Sequence, residues 1–286
     1  MSDINSELNH LQSGHPLFYK SAQAVISIQG PDARDFLQRM STNDLAKLTK
    51  DHPLATSFTN NKGGMIDHCL IFADEPANFV LVSSHCHAQT LIDWIEQYHF
   101  VEDFVVADLS QQSTAYFVVT TNTQNYAKAA QYWQGILGDL AVKFYISFNP
   151  PENALPIDKN SFETFRVAAL MPASPQEINA SYMPQNINLQ AFIAENKGCY
   201  VGQEVIAKAR IYQKRVKTLC GASFCLEDYA RLSPHLKVMS TDHQSGTITS
   251  IAPHFLADLA NALVIMENAK EIQASCLTRA KLATIR

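Results

Sequence analysis

No stretch of the 286-residue sequence approaches the roughly 18 consecutive apolar residues that a membrane-spanning helix requires. The N-terminus also lacks the basic-then-apolar layout of a secretory signal. The expectation is a cytoplasmic protein with no membrane partner. Six cysteines are present (Cys69, Cys86, Cys199, Cys220, Cys225 and Cys276), but none forms a C-x-x-C pair. That absence removes the usual cradle for structural zinc or an intrinsic iron–sulfur cluster, and the thiols read as reduced. Also missing are a G-x-G-x-x-G loop, a Walker loop, a nucleophile elbow and a helical H-E-x-x-H, so nucleotide-cofactor and hydrolase chemistries find no support. Charge is scarce at 17%, while hydrophobic residues reach 47% and no polar repeat occurs, which confines disorder to the first dozen residues. The net charge of −5 excludes a surface that tracks DNA phosphates throughout.

What is present suits two or three packed modules, since single cores stop growing near roughly 250–300 residues. Val25 to Gln29 alternates like a strand. Gly30-Pro31-Asp32 then opens a helix with Ala33, Phe36, Leu37 and Met40 on one face. Leu54 to Thr59 and Met65 to Phe72 read as strands joined by Asn60-Asn61-Lys62-Gly63-Gly64. A strand at Phe79 to Ser83, a helix at Ala88 to Tyr98 and a strand at Phe104 to Asp108 complete this unit. The scheme recurs as a strand at Ala115 to Thr120, an amphipathic helix at Tyr126 to Leu137, a strand at Val142 to Phe148 and a helix at Phe162 to Ala169. From Val216 onward, short alternating runs suggest a small C-terminal β-barrel. The predicted class is α+β, with units at 1–110, 111–215 and 216–286.

The segment Lys197-Gly198-Cys199-Tyr200-Val201-Gly202-Gln203-Glu204 carries the densest chemistry. Its two glycines allow a tight path or a close ligand approach, and a lysine near Cys199 would favour the thiolate; a packed, inert cysteine is the other reading. From Lys197 to Lys217 the cations Lys197, Lys208, Arg210, Lys214, Arg215 and Lys217 face one acid, Glu204, which suggests a defined anionic partner. Ala207 to Tyr212 alternates as on a strand, with Lys208, Arg210 and Tyr212 on the wet face. Asp67 lies in a strand that is apolar on both faces, so its carboxylate needs donors, from a ligand or from the backbone N–H groups of a turn. Ser84-His85-Cys86-His87, with His68 and Cys69 upstream, lacks a second ligand pair at a recognisable spacing, and no metal is expected.

Lys197 to Glu204 resembles the signature of the YgfZ family, relatives of the glycine-cleavage aminomethyltransferases. The likeness continues in Met183-Pro184-Gln185-Asn186-Ile187-Asn188-Leu189-Gln190-Ala191 and in Ala207-Lys208-Ala209-Arg210, with weaker matches at Gly30 to Ala33, Thr42-Asn43-Asp44, Gly63-Gly64 and Gly246 to Ser250. It implies a GcvT/YgfZ-like fold of mixed α+β folate-binding domains around a central opening. It further implies a tetrahydrofolate derivative as cofactor and a role as accessory protein for iron–sulfur enzymes, with client or assembly proteins as partners and an indirect effect on transfer-RNA methylthiolation. Cys199 would then present a thiol and Asp67 would seat the folate. Lys197, Tyr200, Gln203, Glu204, Lys208, Arg210 and Arg166 would surround it. Two departures bear on this. Ala168 stands where aminomethyltransferases place a pterin-binding glutamate, and Leu170 replaces a usual glycine. Conversely, Gly63-Gly64-Met65-Ile66-Asp67 is close to the aminomethyltransferase form. The alternatives are a tetrahydrofolate-dependent aminomethyltransferase-like enzyme and a module that contacts transfer RNA through the basic stripe.

Overall fold

The computed structural model describes residues 4–122, 129–212, 217–240, 244–256, 259–267 and 277–282. The chain opens with α1 (Ile4–Gln12) and β1 (Leu17–Lys20), followed by β2 (Val25–Gln29), α2 (Ala33–Met40), β3 (Leu54–Thr59), β4 (Met65–Glu75), β5 (Asn78–Val82), α3 (Gln89–Tyr98) and β6 (Val105–Asp108). The expected loose N-terminus is therefore a helix, tied down because Leu11 is fully buried.

Strands β3 to β6 and β2 pair antiparallel in the order β3-β4-β5-β2-β6. Both faces of this sheet are covered, which explains why β4 reads as apolar on each side. Ile71 points to a core made with Phe36, Leu37, Leu91, Trp94 and Ile95 of α2 and α3. Leu70, on the opposite face, joins Phe117, Val119 and Phe144 of the second sheet.

The second sheet comprises β7 (Tyr116–Thr120), β8 (Ala129–Leu137), β9 (Leu140–Ser147) and β10 (Leu155–Pro156) with β1, in the order β10-β1-β7-β9-β8. Thus α1 and β1, assigned from sequence to the first unit, pack with the second, because β1 pairs with β7. The expected helix over Tyr126 to Leu137 is instead strand β8 where it is described; residues 123–128 lie outside the described residues. A tight connection at Gly138 (φ 61°) and Asp139 returns the chain along β9 in register from Leu137↔Leu140 to Ala129↔Ser147, and this hairpin, held in the larger sheet by β7, outweighs the helical periodicity. Helix α4 (Lys159–Ala168) covers the sheet with Phe162, Phe165 and Ala168. The Asp158 carboxylate caps it by accepting from Ser161 N at 2.9 Å.

After α5 (Gln203–Tyr212) come β11 (Thr218–Phe224), β12 (Lys237–Ser240), β13 (Ser245–Ile251), β14 (Ala260–Met266) and β15 (Leu277–Leu282). They pair in the order β11-β14-β13-β12-β15, and β15 also pairs with β11. The strand expected at Ala207 to Tyr212 is the second half of α5. Glu204 and Lys208 pair across one helical turn at 2.5 Å, whereas on a strand residues four apart, though on one face, stand about 13 Å from each other. Between the three sheets, Met65, Val167, Ile187, Leu189, Leu219 and Leu263 form a small core of their own. Among the described residues, no helix is long and apolar enough to cross a membrane.

Candidate functional site

Beside this junction lies a cavity of about 950 Å³. Its walls come from the glycine turn (Lys62, Gly64), the irregular segment Ala180 to Asn196, the signature (Tyr200, Gln203), α5 (Ile206, Arg210) and Lys217. The two motifs that stood apart in sequence are in direct contact here. Asn60 Oδ1 accepts from the Lys62 and Gly64 amides at 2.9 and 3.0 Å, closing the turn. Thr59 Oγ1 donates to Val201 O at 2.6 Å, and Met65 N donates to Tyr182 O at 2.8 Å. Gly202 has φ +83°, and a Cβ there would stand 2.5 Å from Asn60 O. Gly202→Ala is accordingly expected to lose about 2–3 kcal/mol, while Gly198→Ala, which faces open space, stays within about 0.5 kcal/mol. Urea midpoints of the two variants check this; equal midpoints would contradict the packing described.

Of the sequence-predicted residues, Tyr200, Gln203 and Arg210 line the cavity. Arg210 is ion-paired with Glu195 at 2.6 Å, across from α5. Cys199 is exposed and immediately precedes Tyr200. Lys197 does not lend its charge to that thiol. Its Nζ donates to the carbonyls of Gln38, Ser41 and Asn43 at 2.6, 2.6 and 2.8 Å, so it clamps the signature onto the C-terminal end of α2, where a cation is favoured. Burial draws its pKa down to about 8, against the pull of Asp44. Glu204 and Lys208 satisfy one another on the exposed face of α5, and neither lines the cavity. Lys214 and Arg215 lie outside the described residues.

Asp67 and Arg166 are also outside the cavity wall, each in a closed network of its own. Asp67 Oδ1 accepts from His68 N (2.7 Å), Ser84 N (3.0 Å) and Ser84 Oγ (2.5 Å), and Oδ2 accepts from Ser83 Oγ (2.5 Å). Of the two readings of this residue, the geometry favours donors from a neighbouring turn. Arg166 is buried among Glu163, Glu177, Ser250 and the Met171 carbonyl. Within the histidine cluster His85 is committed: its Nε2 bonds to Ile66 O at 2.9 Å and its Nδ1 lies 2.6 Å from Ser174 Oγ. Among the described residues no group of three metal-ligating side chains converges.

Sequence reasoning did not single out Lys62, Tyr182 and Gln185 as site residues. Gln185 is the most informative. Its Oε1 is buried without a hydrogen-bond partner, while its Nε2 makes only long contacts, 3.4 Å to Ile206 O and 3.5 Å to Met183 Sδ. The signal lay in the Met183 to Ala191 run, which carried the residue but not its orientation.

Near Asp67, His68 sits between the first two sheets against Tyr132 and Phe192, and burial lowers its pKa to about 3. In the unfolded chain histidine titrates near 6.5. The unfolded state therefore binds the extra proton first, and stability is lost as pH falls from about 6.5 toward 3. At pH 4 this one group is expected to cost about 3 kcal/mol. His68→Gln should flatten that part of the stability profile; an unchanged pH slope in urea melts would refute the assignment.

Residues 1–124 match the family described as the GCVT N-terminal domain. An aminomethyltransferase of Bacillus pumilus (strain SAFR-032) is 30% identical over 111 residues, covering 39% of this chain and 30% of that protein. The aminomethyltransferase of Chlorobium luteolum is 22% identical over 293 residues, covering 87% of this chain and 79% of that protein. The solved structure of the glycine cleavage system aminomethyltransferase T from Bartonella henselae overlays with a TM-score of 0.69 at 14% identity, over 92% of this chain and 81% of that one. The fold is thus the mixed α+β fold of the glycine-cleavage T superfamily, and these matches support placing the chain within that superfamily. They also overturn the expected role as an accessory protein for iron–sulfur enzymes. The relatives just described are named aminomethyltransferases, which agrees with the one-carbon-transfer alternative, and none of their names points to iron–sulfur clients or transfer-RNA modification.

Proposed function

We propose that the chain is a tetrahydrofolate-dependent one-carbon transferase of the aminomethyltransferase type, holding the folate in the cavity of about 950 Å³. The observation that carries the reading is the cavity's lining of amides and aromatic rings, among them Gln185, whose Oε1 is a buried acceptor without a partner behind that wall. A buried acceptor without a donor costs about 1–3 kcal/mol, and the amino and ring N–H groups of a reduced pterin are donors of the required kind. Ala168 leaves no carboxylate at the position where aminomethyltransferases place a pterin-binding acid, and it does not line this cavity, so in this reading the wall's own amides, Gln185 among them, meet those N–H groups. Tyr182 and Tyr200 supply aromatic walls, and Gln190 and Gln203 further amides. The volume is at the upper end of the roughly 300–1,000 Å³ typical of small-molecule sites.

When bound, the folate supplies the amines that accept the one-carbon unit. The chain's own contribution is to position it, since fixing reacting groups in a near-attack geometry removes much of the entropic barrier. Asp67 supports this indirectly, by tying the start of β4, next to the glycine turn, to Ser83 and Ser84 after β5. Cys199 is a thiol at the cavity's edge, and the C-terminal strands, whose order closes on itself, are a small barrel beside it. The thiols of Cys69, Cys86, Cys199 and Cys225, which form no disulfide, fit a cytoplasmic setting.

Anaerobic titration with tetrahydrofolate tests the reading. Wild type should bind saturably and support folate-dependent methylene transfer. Gln185→Leu should weaken binding about tenfold, the equivalent of one lost hydrogen bond, with a ligand-free urea midpoint no lower than that of wild type. A wild-type protein without saturable binding would refute the proposal.

A further inference from the structure

We propose that the cavity is polarised and takes a ligand's anionic tail at the end formed by Lys62, Tyr182 and Lys217. This rests on the folate reading and specifies the orientation of the bound molecule. The sequence pointed instead to Lys208 and Arg210 as the anion site. In the structure, Lys208 is paired with Glu204 off the cavity wall, Arg210 is neutralised by Glu195, and Lys197 is spent on three backbone carbonyls. That accounting leaves two cations on the wall, Lys62 and Lys217, neither of which has a carboxylate within ion-pair distance among the described residues.

The two lysines converge from different parts of the chain. Lys217 Nζ lies 5.2 Å above the Tyr182 ring, and Asn186 Nδ2 holds the Lys217 carbonyl at 2.8 Å, fixing that residue at this end. Lys62 arrives on the glycine turn, which is docked on the same segment: Gly64 is so close to Ala180 O that a Cβ would stand 2.3 Å away, and Met65 N binds Tyr182 O. Glu195 is the cavity's one carboxylate among its lining residues, and it sits with Arg210. A ligand with a carboxylate-bearing tail is therefore oriented by the wall itself, its carboxylates drawn to Lys62 and Lys217 and away from Glu195. Each added glutamyl carboxylate would strengthen the attraction.

The test compares three ligands under anaerobic conditions at low and moderate salt: 6-methyltetrahydropterin, tetrahydrofolate monoglutamate and tetrahydrofolate triglutamate. For the Lys62→Gln/Lys217→Gln double variant, the monoglutamate should bind on the order of tenfold more weakly and the triglutamate more weakly still, with a flattened salt dependence. The methylpterin should be unaffected. Both lysines are exposed, so the variant should fold as wild type. Glutamylated ligands that bind the double variant as tightly as wild type overturn the proposal. So does an equal loss in Lys208→Gln, which would reduce the effect to bulk charge. Methylpterin binding with no preference for glutamylated forms in wild type overturns the polarity alone, whereas failure of all three ligands to bind wild type overturns the folate reading itself.

Discussion

Asp67→Ala is expected to destabilise the protein by about 4 kcal/mol, because its carboxylate satisfies four donors in a place that water does not reach. The side chain is fully buried on β4. Removing it strands the amides of His68 and Ser84 and both serine hydroxyls, and hydrogen bonds to charged acceptors are worth roughly 1.5–3 kcal/mol each before the hydroxyls find substitutes. The charge has a second effect. With burial, it pushes the Cys69 thiol and the Tyr132 phenol well up from their ordinary values, so both stay protonated. Asp67→Asn keeps one acceptor oxygen but presents an amide to the donors, and should lose about half as much. Urea unfolding at pH 7 measures both. If Asp67→Ala instead abolished folate binding while leaving the urea midpoint unchanged, the residue would be a ligand contact and the network described above would be wrong.

The pattern of success in reading the sequence follows from where each signal was local. Strand β4 and the helices α2 and α3 were legible because their apolar periodicity is set by residues a few positions apart. Strand β8 was not. Its pairing with β9 and its burial against Phe117 through Tyr132 are properties of the assembled sheet. Helix α5 was misread for the opposite reason: Ala207 to Tyr212 alternates small and charged residues, which fits a strand. The Glu204–Lys208 pair that argues for a helix began one motif earlier. At the site, the sequence named the glycine turn and the signature separately. It carried no sign that Gly202 packs on Asn60, which places both on one cavity. Nor could it separate free cations from spent ones. Lys197 and Lys62 look alike as letters, and only the three carbonyls around the first distinguish them.

Arg166, named as a folate neighbour through the family resemblance, lies outside the cavity wall yet still matters, and its removal should cost as much as that of Asp67. The guanidinium is 2% exposed. Burial works against its charge, but Glu163 and Glu177 outweigh that and raise its pKa. It bonds Glu163 Oε2 at 2.6 Å, the Met171 carbonyl at 3.2 Å and Ser250 Oγ at 3.0 Å, and Ser250 in turn donates to Glu177 Oε1 at 2.7 Å. The network therefore joins α4, the segment after it and β13. Arg166→Met fills similar space without charge and leaves Glu177, itself fully buried, uncompensated. Breaking a buried pair in this one-sided way costs about 3–5 kcal/mol. The sign of its pH dependence is fixed: an uncompensated buried carboxylate has a folded-state pKa above its unfolded value near 4.3, so protonation favours the folded variant. The deficit should be largest at neutral pH and shrink as pH falls through that raised pKa. Arg166→Met/Glu177→Gln should recover a substantial part of the loss at pH 7, since it removes the stranded charge. Chemical denaturation from pH 5 to 8 provides the readout, with folate titration alongside. A loss below about 1 kcal/mol that is independent of pH would show the network to be incidental. A selective loss of folate affinity at unchanged stability would return Arg166 to the binding site.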